Sequence, residues 1–281
     1  MTAAVRSLDR YPLIRTQSAD ELCDALARVY AKPSLNVESR TKTGDVTFNY
    51  CQMNDIGLGY AQYGIGVRLM YRESNFTLQT FPVRGCGQAK IDGVVNPLGP
   101  RRGLTMSSGR SFAVKVNDGY EHFVLVIDPR ALIDKLAALT GTAVEQPLNF
   151  HPVQDPRRPA AKALHDHFFF LVDGLSVSAA SLPKFVLDEF EQTLIVMFLQ
   201  ANRHNYSDLL EAEAPDISLP QVRLAEDYIE ANARRAITLE ELADITKVSA
   251  LSLFGAFKRR RGYSLPAFLA QARAKRKTPP Q

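Results

Sequence analysis

The chain runs to 281 residues, 46% hydrophobic and 23% charged, with a formal net charge of +4, the make-up of an ordinary soluble protein of two domains. No apolar run reaches membrane-spanning length, and the opening Met1-Thr2-Ala3-Ala4-Val5-Arg6-Ser7 lacks the apolar core of a secretory signal, so the expected location is the cytoplasm. The three cysteines, Cys23, Cys51 and Cys86, are scattered and odd in number, which argues against a disulfide framework and against metal spacing. Near the start, Ser18-Ala19-Asp20-Glu21 has the form of a capping box. Leu22, Leu26, Val29 and Tyr30 then recur at helical spacing until Pro33, so an amphipathic helix is expected there.

From Leu35 to about Ile127 the pattern changes to short alternating runs punctuated by glycine. Strands are expected over 46–53, 58–63, 66–73, 76–83, 88–91, 103–106, 111–116 and 122–127. Asp92-Gly93, Asn96-Pro97-Leu98-Gly99, Ser107-Ser108-Gly109 and Asn117-Asp118-Gly119 supply turns. Eight strands at near-regular spacing suggest a closed barrel or jelly roll, and a cupin-like double-stranded barrel fits. Gly57, Gly59, Gly64 and Gly66 form a patch without the strand, loop and helix context of a phosphate cradle.

A metal-dependent barrel enzyme needs several His and carboxylate ligands converging on its interior. This region holds a single histidine, His122, beside Glu121, which reads as a hydrogen-bonded structural residue. No catalytic residue, metal or cofactor is therefore expected, and a pocket lined by apolar and aromatic groups, with one cation for an anionic effector, is the better reading. Arg68 and Arg84 are the effector-binding candidates, because an arginine turned into a barrel is costly unless a carboxylate ligand pairs it. The other reading is that both face solvent. Arg101-Arg102 reads as a surface turn.

Asp128-Pro129 closes the last strand and opens a helix through Leu139, stopped by Gly141. Two longer helices are expected over about 160–175 and 182–203. Both are broadly apolar, and Phe190, Leu194, Met197 and Phe198 are candidates for a homodimer interface, the alternative being packing within one chain. His165 and His167 are two apart and fall on different helix faces, so they do not form a metal pair. Residues 1–204 read as an effector-binding and dimerisation domain, 205–216 as a polar linker containing Pro215, and 217–281 as a DNA-binding unit. The first helix of that unit starts at Pro220, with Val222, Ala225, Ile229 and Ala233 inward.

Thr238 and Glu241 then form a capping box, flanked by Ile237 and Leu242 as a hydrophobic staple, with Leu239, Leu242, Ala243 and Ile245 as the apolar face. Ser249 caps a second helix ended by Gly262, and Pro266 opens a third that runs to about Lys277. Two short helices joined by a tight turn make a helix-turn-helix, whose second member enters the DNA major groove. After Asp244 there is no acidic residue and there are nine Lys and Arg, so a basic segment sits on a net acidic body, the footprint of phosphate binding. The DNA-binding candidates are Lys247, Ser249, Ala250, Leu251, Ser252, Phe254, Gly255, Lys258 and Arg259. Leu251 and Phe254 are unusual there: they lack the hydrogen bonds that discriminate bases, and either press on thymine methyl groups or pack on another protein surface.

The segment Ile237-Thr238-Leu239-Glu240-Glu241-Leu242-Ala243-Asp244, with Val248-Ser249, Leu253, Phe257-Lys258-Arg259 and Gly262-Tyr263-Ser264-Leu265-Pro266, resembles the first helix-turn-helix of the AraC/XylS family of bacterial transcription activators. Residues 120–132 are similar to the end of the effector barrel in XylS-like members. The resemblance implies an α+β chain in which an N-terminal cupin-like barrel with flanking helices precedes an all-α DNA-binding domain. It also implies a dimeric regulator that answers to a small aromatic or carboxylate effector, with DNA and RNA polymerase as partners. Family members carry two helix-turn-helix units. Thr278-Pro279-Pro280-Gln281 cannot extend the third helix, so a domain reduced to its first unit is expected. The alternative function is a dimerisation module that sequesters effector or a full-length homologue without binding DNA tightly itself.

Overall fold

The computed structural model describes residues 8–29, 33–37, 44–177, 182–212, 216–235 and 237–275; Tyr30, Pro215, Arg276, Lys277 and the proline-containing tail, on which some expectations rest, lie outside them. Eleven strands are described: β1 (Pro12–Thr16), β2 (Ser34–Val37), β3 (Val46–Gln52), β4 (Ile56–Tyr63), β5 (Val67–Tyr71), β6 (Thr77–Arg84), β7 (Gly87–Ile91), β8 (Val94–Leu98), β9 (Thr105–Met106), β10 (Phe112–Val116) and β11 (Tyr120–Ile127). Helix α1 (Ala19–Val29) lies between β1 and β2. The strands form two antiparallel sheets, ordered β1-β3-β4-β11-β6-β9 and β2-β5-β10-β7-β8, which face each other as the cupin-like barrel.

All eight expected strands are present within a few residues. Three more were not anticipated. Of the turn expected at Asn96 to Gly99, Asn96, Pro97 and Leu98 instead belong to β8, where Pro97 is tolerated because β8 is an edge strand paired only with β7. Period-two alternation sorts β11: Tyr120, Val124 and Val126 enter the barrel core, while Phe123, Leu125 and Ile127 enter a second core on the outer face of the larger sheet. Gly57 serves packing on β4, since a Cβ there would lie 1.8 Å from the Tyr50 hydroxyl oxygen.

The second core is covered by α2 (Pro129–Thr140), α3 (Pro159–Val177), α4 (Lys184–Ala201) and the short α5 (Ser207–Glu211), the last within the stretch expected to be linker. Asp128 caps α2 by accepting from the Arg130 amide at 2.7 Å, and Gly141 ends it in the left-handed region at φ 69°. Glu191 pins α4 to the barrel. Its buried carboxylate accepts from the Asn54 and Asp55 amides at 3.1 and 2.6 Å, and burial pushes its pKa up. A third core, built on Val222, Ile229, Leu242, Leu253, Phe257 and Leu265, joins α6 (Leu219–Asn232), α7 (Leu239–Thr246), α8 (Ala250–Arg261) and α9 (Leu265–Lys275). Ile245, expected on the apolar face of α7, is exposed instead.

Candidate nucleic-acid interface and effector pocket

Helices α7 and α8 form the helix-turn-helix. Thr238 Oγ1 accepts from the Glu241 amide at 3.2 Å, but the Glu241 carboxylate does not return to the cap as a capping box requires. It takes both oxygens to Arg235 Nη1, at 2.9 Å each. Lys247, in the left-handed region at φ 54°, makes the turn, and Ser249 Oγ accepts from the Ser252 amide at 3.1 Å. Leu253, Ala256 and Phe257 face the unit's core, as helical spacing from Ser249 dictates.

The remaining DNA-binding candidates divide sharply. Lys247 and Lys258 are exposed and make no ion pair among the described residues. Ser249 and Ser252 are buried and spent on the cap. Ala250 is 0% exposed, and it lies in the core of the barrel helices, with Leu251 and Phe254 packed against that same core. The bland expectation for those two apolar residues is the one the structure adopts: the surface they meet is protein. The Arg259 guanidinium folds back over Gly255, where a Cβ would meet Nη1 at 2.9 Å, and donates to Asp216 at 3.1 Å. Arg260 shares Asp216 at 2.8 Å, and Arg261 pairs with Glu226 at 2.6 Å.

The partner surface is α2. Lys135, 1% exposed, directs Nζ to Glu240 of α7, at 2.7 Å from Oε1 and 3.0 Å from Oε2, and also to Gln192 of α4. At the end of α2, a Cβ on Gly141 would lie 3.0 Å from Ser249 Cβ. Arg273 of α9 pairs with Glu189 of α4 at 2.9 Å.

Neither arginine proposed for the barrel interior points there. Arg68 is exposed on β5 while Val67, Leu69 and Tyr71 face inward, and Arg84 is exposed at the end of β6, 3.4 Å from Glu121. The period of two fixes alternation but not which face is in, and these two fall on the outer one. The interior itself is nearly full, leaving about 60 Å3 among Tyr63, Tyr71, Phe112, Tyr120 and His122. Tyr120 Oη and His122 Nδ1 are sealed there without hydrogen-bond partners, so His122 is not the hydrogen-bonded residue expected, and burial lowers its pKa to about 4. Among the described residues no three His, Cys, Asp or Glu side chains converge to hold a metal.

A larger cleft lies outside the barrel, between β6 and α3. Its volume is about 380 Å3, with walls of Phe81, Pro82, Val83, Pro100 and Phe169 and a rim of Arg101, Lys162, His165 and Asp166. Phe81 is held by stacking on Phe168, with ring centroids 4.5 Å apart. The floor is an amide network: Gln79 donates to Gln154 at 3.0 Å, Asn202 donates to Gln79 at 2.9 Å, and Thr105 donates to Asn202 at 2.8 Å. Lys162 and His165 both engage Asp166, whereas Arg101, at φ 64°, makes no ion pair among the described residues. The sequence alone places Arg101 in a surface turn, and only the folded approach of α3 makes a pocket beside it.

The proposed dimer contacts also separate. Leu194 and Phe198 are 0% exposed within the chain's own core, so they are not available to a second copy. Phe190 and Met197 are half-buried, and Phe190 abuts Phe170, with centroids 5.6 Å apart. Phe170 and Phe185 are 62% and 64% exposed, and sequence reasoning did not single out either as an interface residue.

A cupin-like barrel with a cleft of small-molecule size on its outer face, joined to a helix-turn-helix, is the architecture of AraC-type regulators. The AraC-binding-like domain family matches residues 22–200, and the chain belongs to this family of AraC-type regulators. It is 34% identical over 135 residues to the probable thc operon regulatory protein of Rhodococcus erythropolis, an alignment spanning 46% of this chain and 39% of that protein. The crystal structure of the AraC-like transcriptional activator CuxR shares the fold, with a TM-score of 0.50 and 13% identity over 94% of both chains. No helix among the described residues is long and apolar enough to cross a membrane.

Proposed function

We propose that this chain is a cytoplasmic, DNA-binding transcription regulator, active as a homodimer, whose N-terminal half senses a small organic anion. The doubly capped helix pair carries the DNA-binding reading: Thr238 and Ser249 set two short helices around a left-handed Lys247 turn, the geometry that presents α8 to a groove. Lys247 and Lys258 supply phosphate contacts directly, and Arg259 and Arg260 add to them once Asp216 is displaced. RNA polymerase is the expected partner once the dimer sits on its operator, in keeping with activation as the sign of control.

The effector belongs in the β6–α3 cleft. A volume of about 380 Å3 falls in the range of small-molecule sites, whereas about 60 Å3 in the barrel is too small for an organic ligand without rearrangement. Flat apolar walls with a net cationic rim favour an aromatic or apolar-bodied carboxylate, and Arg101 offers the bidentate contact. Phe170 and Phe185 supply the apolar face for the second copy.

The test is a salt titration of DNA binding by the full chain, with its upstream promoter duplex and a scrambled duplex compared. A steep fall of affinity with salt, together with preference for the promoter, is expected. Equal weak binding to both duplexes would leave the sequestering module as the better account.

A further inference from the structure

Three side-chain amides on the floor of the β6–α3 cleft close into a ring. Asn202 Nδ2 donates to Gln79 Oε1 at 2.9 Å, Gln79 Nε2 donates to Gln154 Oε1 at 3.0 Å, and Gln154 Nε2 donates back to Asn202 Oδ1 at 3.3 Å. An amide turned end for end keeps its shape, so its partners must decide which end carries the hydrogens. The anchor is the Phe198 carbonyl, which can only accept: Asn202 Nδ2 donates to it at 3.1 Å, and Asn202 Oδ1 is left to take Thr105 Oγ1 at 2.8 Å. With Asn202 fixed, Gln79 turns its oxygen to Asn202 and its nitrogen to Gln154, whose own orientation follows.

The Asn202 amide is then fully used, but Gln79 and Gln154 each keep a second N–H that meets no acceptor among the described residues. Both side chains line the cleft, and Gln79 is only 1% exposed, so the cleft is where its spare hydrogen can find a partner. The two glutamine oxygens keep a lone pair as well, yet a carbonyl that already accepts one bond costs less to leave than a bare N–H. The floor therefore asks for an acceptor. Its cations, Arg101 and Lys162, stand at the rim, so an ionised acceptor on the floor would be a buried charge without a counterion.

We propose that Gln79 and Gln154 determine specificity: the cleft selects an apolar-bodied carboxylate that carries, away from Arg101, a neutral hydrogen-bond acceptor such as a carbonyl or a nitrile. The inference rests on the placing of the effector in this cleft. Apolar walls such as Phe81 and Phe169 discriminate weakly compared with a buried donor that the wrong ligand leaves unpaired. Ring closure stiffens the demand, because Gln79 cannot swing its nitrogen away without breaking its bonds to both Asn202 and Gln154.

Two ligands of nearly the same shape isolate the effect. The compound para-acetylbenzoate carries a carbonyl oxygen where para-isopropenylbenzoate carries a methylene, and each has one carboxylate. Titration calorimetry on the full chain should show the acetyl compound binding at least about fivefold tighter, the weight of one net hydrogen bond. In the double variant Gln79→Met with Gln154→Met both spare donors are gone, and the ratio should fall to about one. If circular dichroism shows that variant misfolded, Gln79→Glu, which keeps the shape and replaces the donor by an acceptor, should lower the ratio likewise. Arg101→Gln should weaken both ligands alike and leave the ratio in place. The proposal is overturned, with the cleft reading intact, if Arg101→Gln weakens both ligands but wild type does not prefer the acetyl compound, or the preference survives the loss of the donors. If neither compound binds, or Arg101→Gln weakens neither, the cleft reading fails and the proposal falls with it.

Discussion

His122 gives the sharpest test of how the barrel interior is built. Its ring lies parallel to Tyr63, with centroids 6.0 Å apart and planes 3° from parallel, and 5.2 Å from Tyr120, while Nδ1 has no partner. Burial alone lowers its pKa from 6.5 to about 4. A depressed folded-state pKa means that the unfolded chain takes up the proton first as pH falls. The stability contribution is thus whole above pH 6.5 and is lost progressively down to about pH 4. At roughly 1.4 kcal/mol per unit, the loss between neutral pH and about pH 5 comes to about 2 kcal/mol. His204, lowered likewise to about 4 by burial, adds a similar slope, and Glu191, whose pKa is raised, opposes both, so the histidine must be isolated by difference. His122→Phe keeps the ring stack and removes the titration. Urea unfolding, followed by circular dichroism because the chain has no tryptophan, should show the variant at least as stable as wild type near pH 7. It should then gain about 2 kcal/mol on wild type by about pH 5. Parallel pH profiles for the two proteins would refute the claim that this nitrogen is sealed.

Two further outcomes follow from packing. Leu253, fully buried in the small core shared by α6, α7 and α8, should cost about 2 to 5 kcal/mol when cut to alanine, and calorimetry should show the helical unit melting early while the barrel transition stays in place. Phe170→Glu together with Phe185→Glu changes two side chains that are already more than 60% exposed, so sedimentation should report a monomer with an unchanged circular dichroism spectrum. A persistent dimer would place the interface elsewhere.

How much of this was legible in the sequence depended on how local the governing physics is. Caps, turns and alternation act within a few residues, and the eight anticipated strands and the bounds of α2, α7 and α8 reflect that. Strand β8 was missed because Pro97 argues against a strand unless the edge position is known, which only the sheet order supplies. Helix α4 is apolar on several faces, so its periodicity could not decide whether Leu194 meets its own chain or another. The cleft draws on β6, the turn at Pro100 and Arg101, the segment near Gln154 and α3, and no window of sequence contains that combination.

The recognition helix shows the same limit from the other side. Leu251 and Phe254 are unusual for a surface that reads bases, and the structure supplies a physical reason: they bury apolar area on the core of the barrel helices while Lys247 and Lys258 of the same unit stay in water. A reading face made entirely of arginine and asparagine would have to strip its hydration to dock there, at a cost of kilocalories per unpaired group. Two apolar side chains dock without that cost, and on DNA they could still meet thymine methyl groups. That docking by itself accounts for the oddity, and the DNA-binding reading proposed above would give the same face a second partner. Substituting Leu251 and Phe254 by polar residues should accordingly loosen the contact of α8 with α2, which faster deuterium exchange of the α2 amides would report.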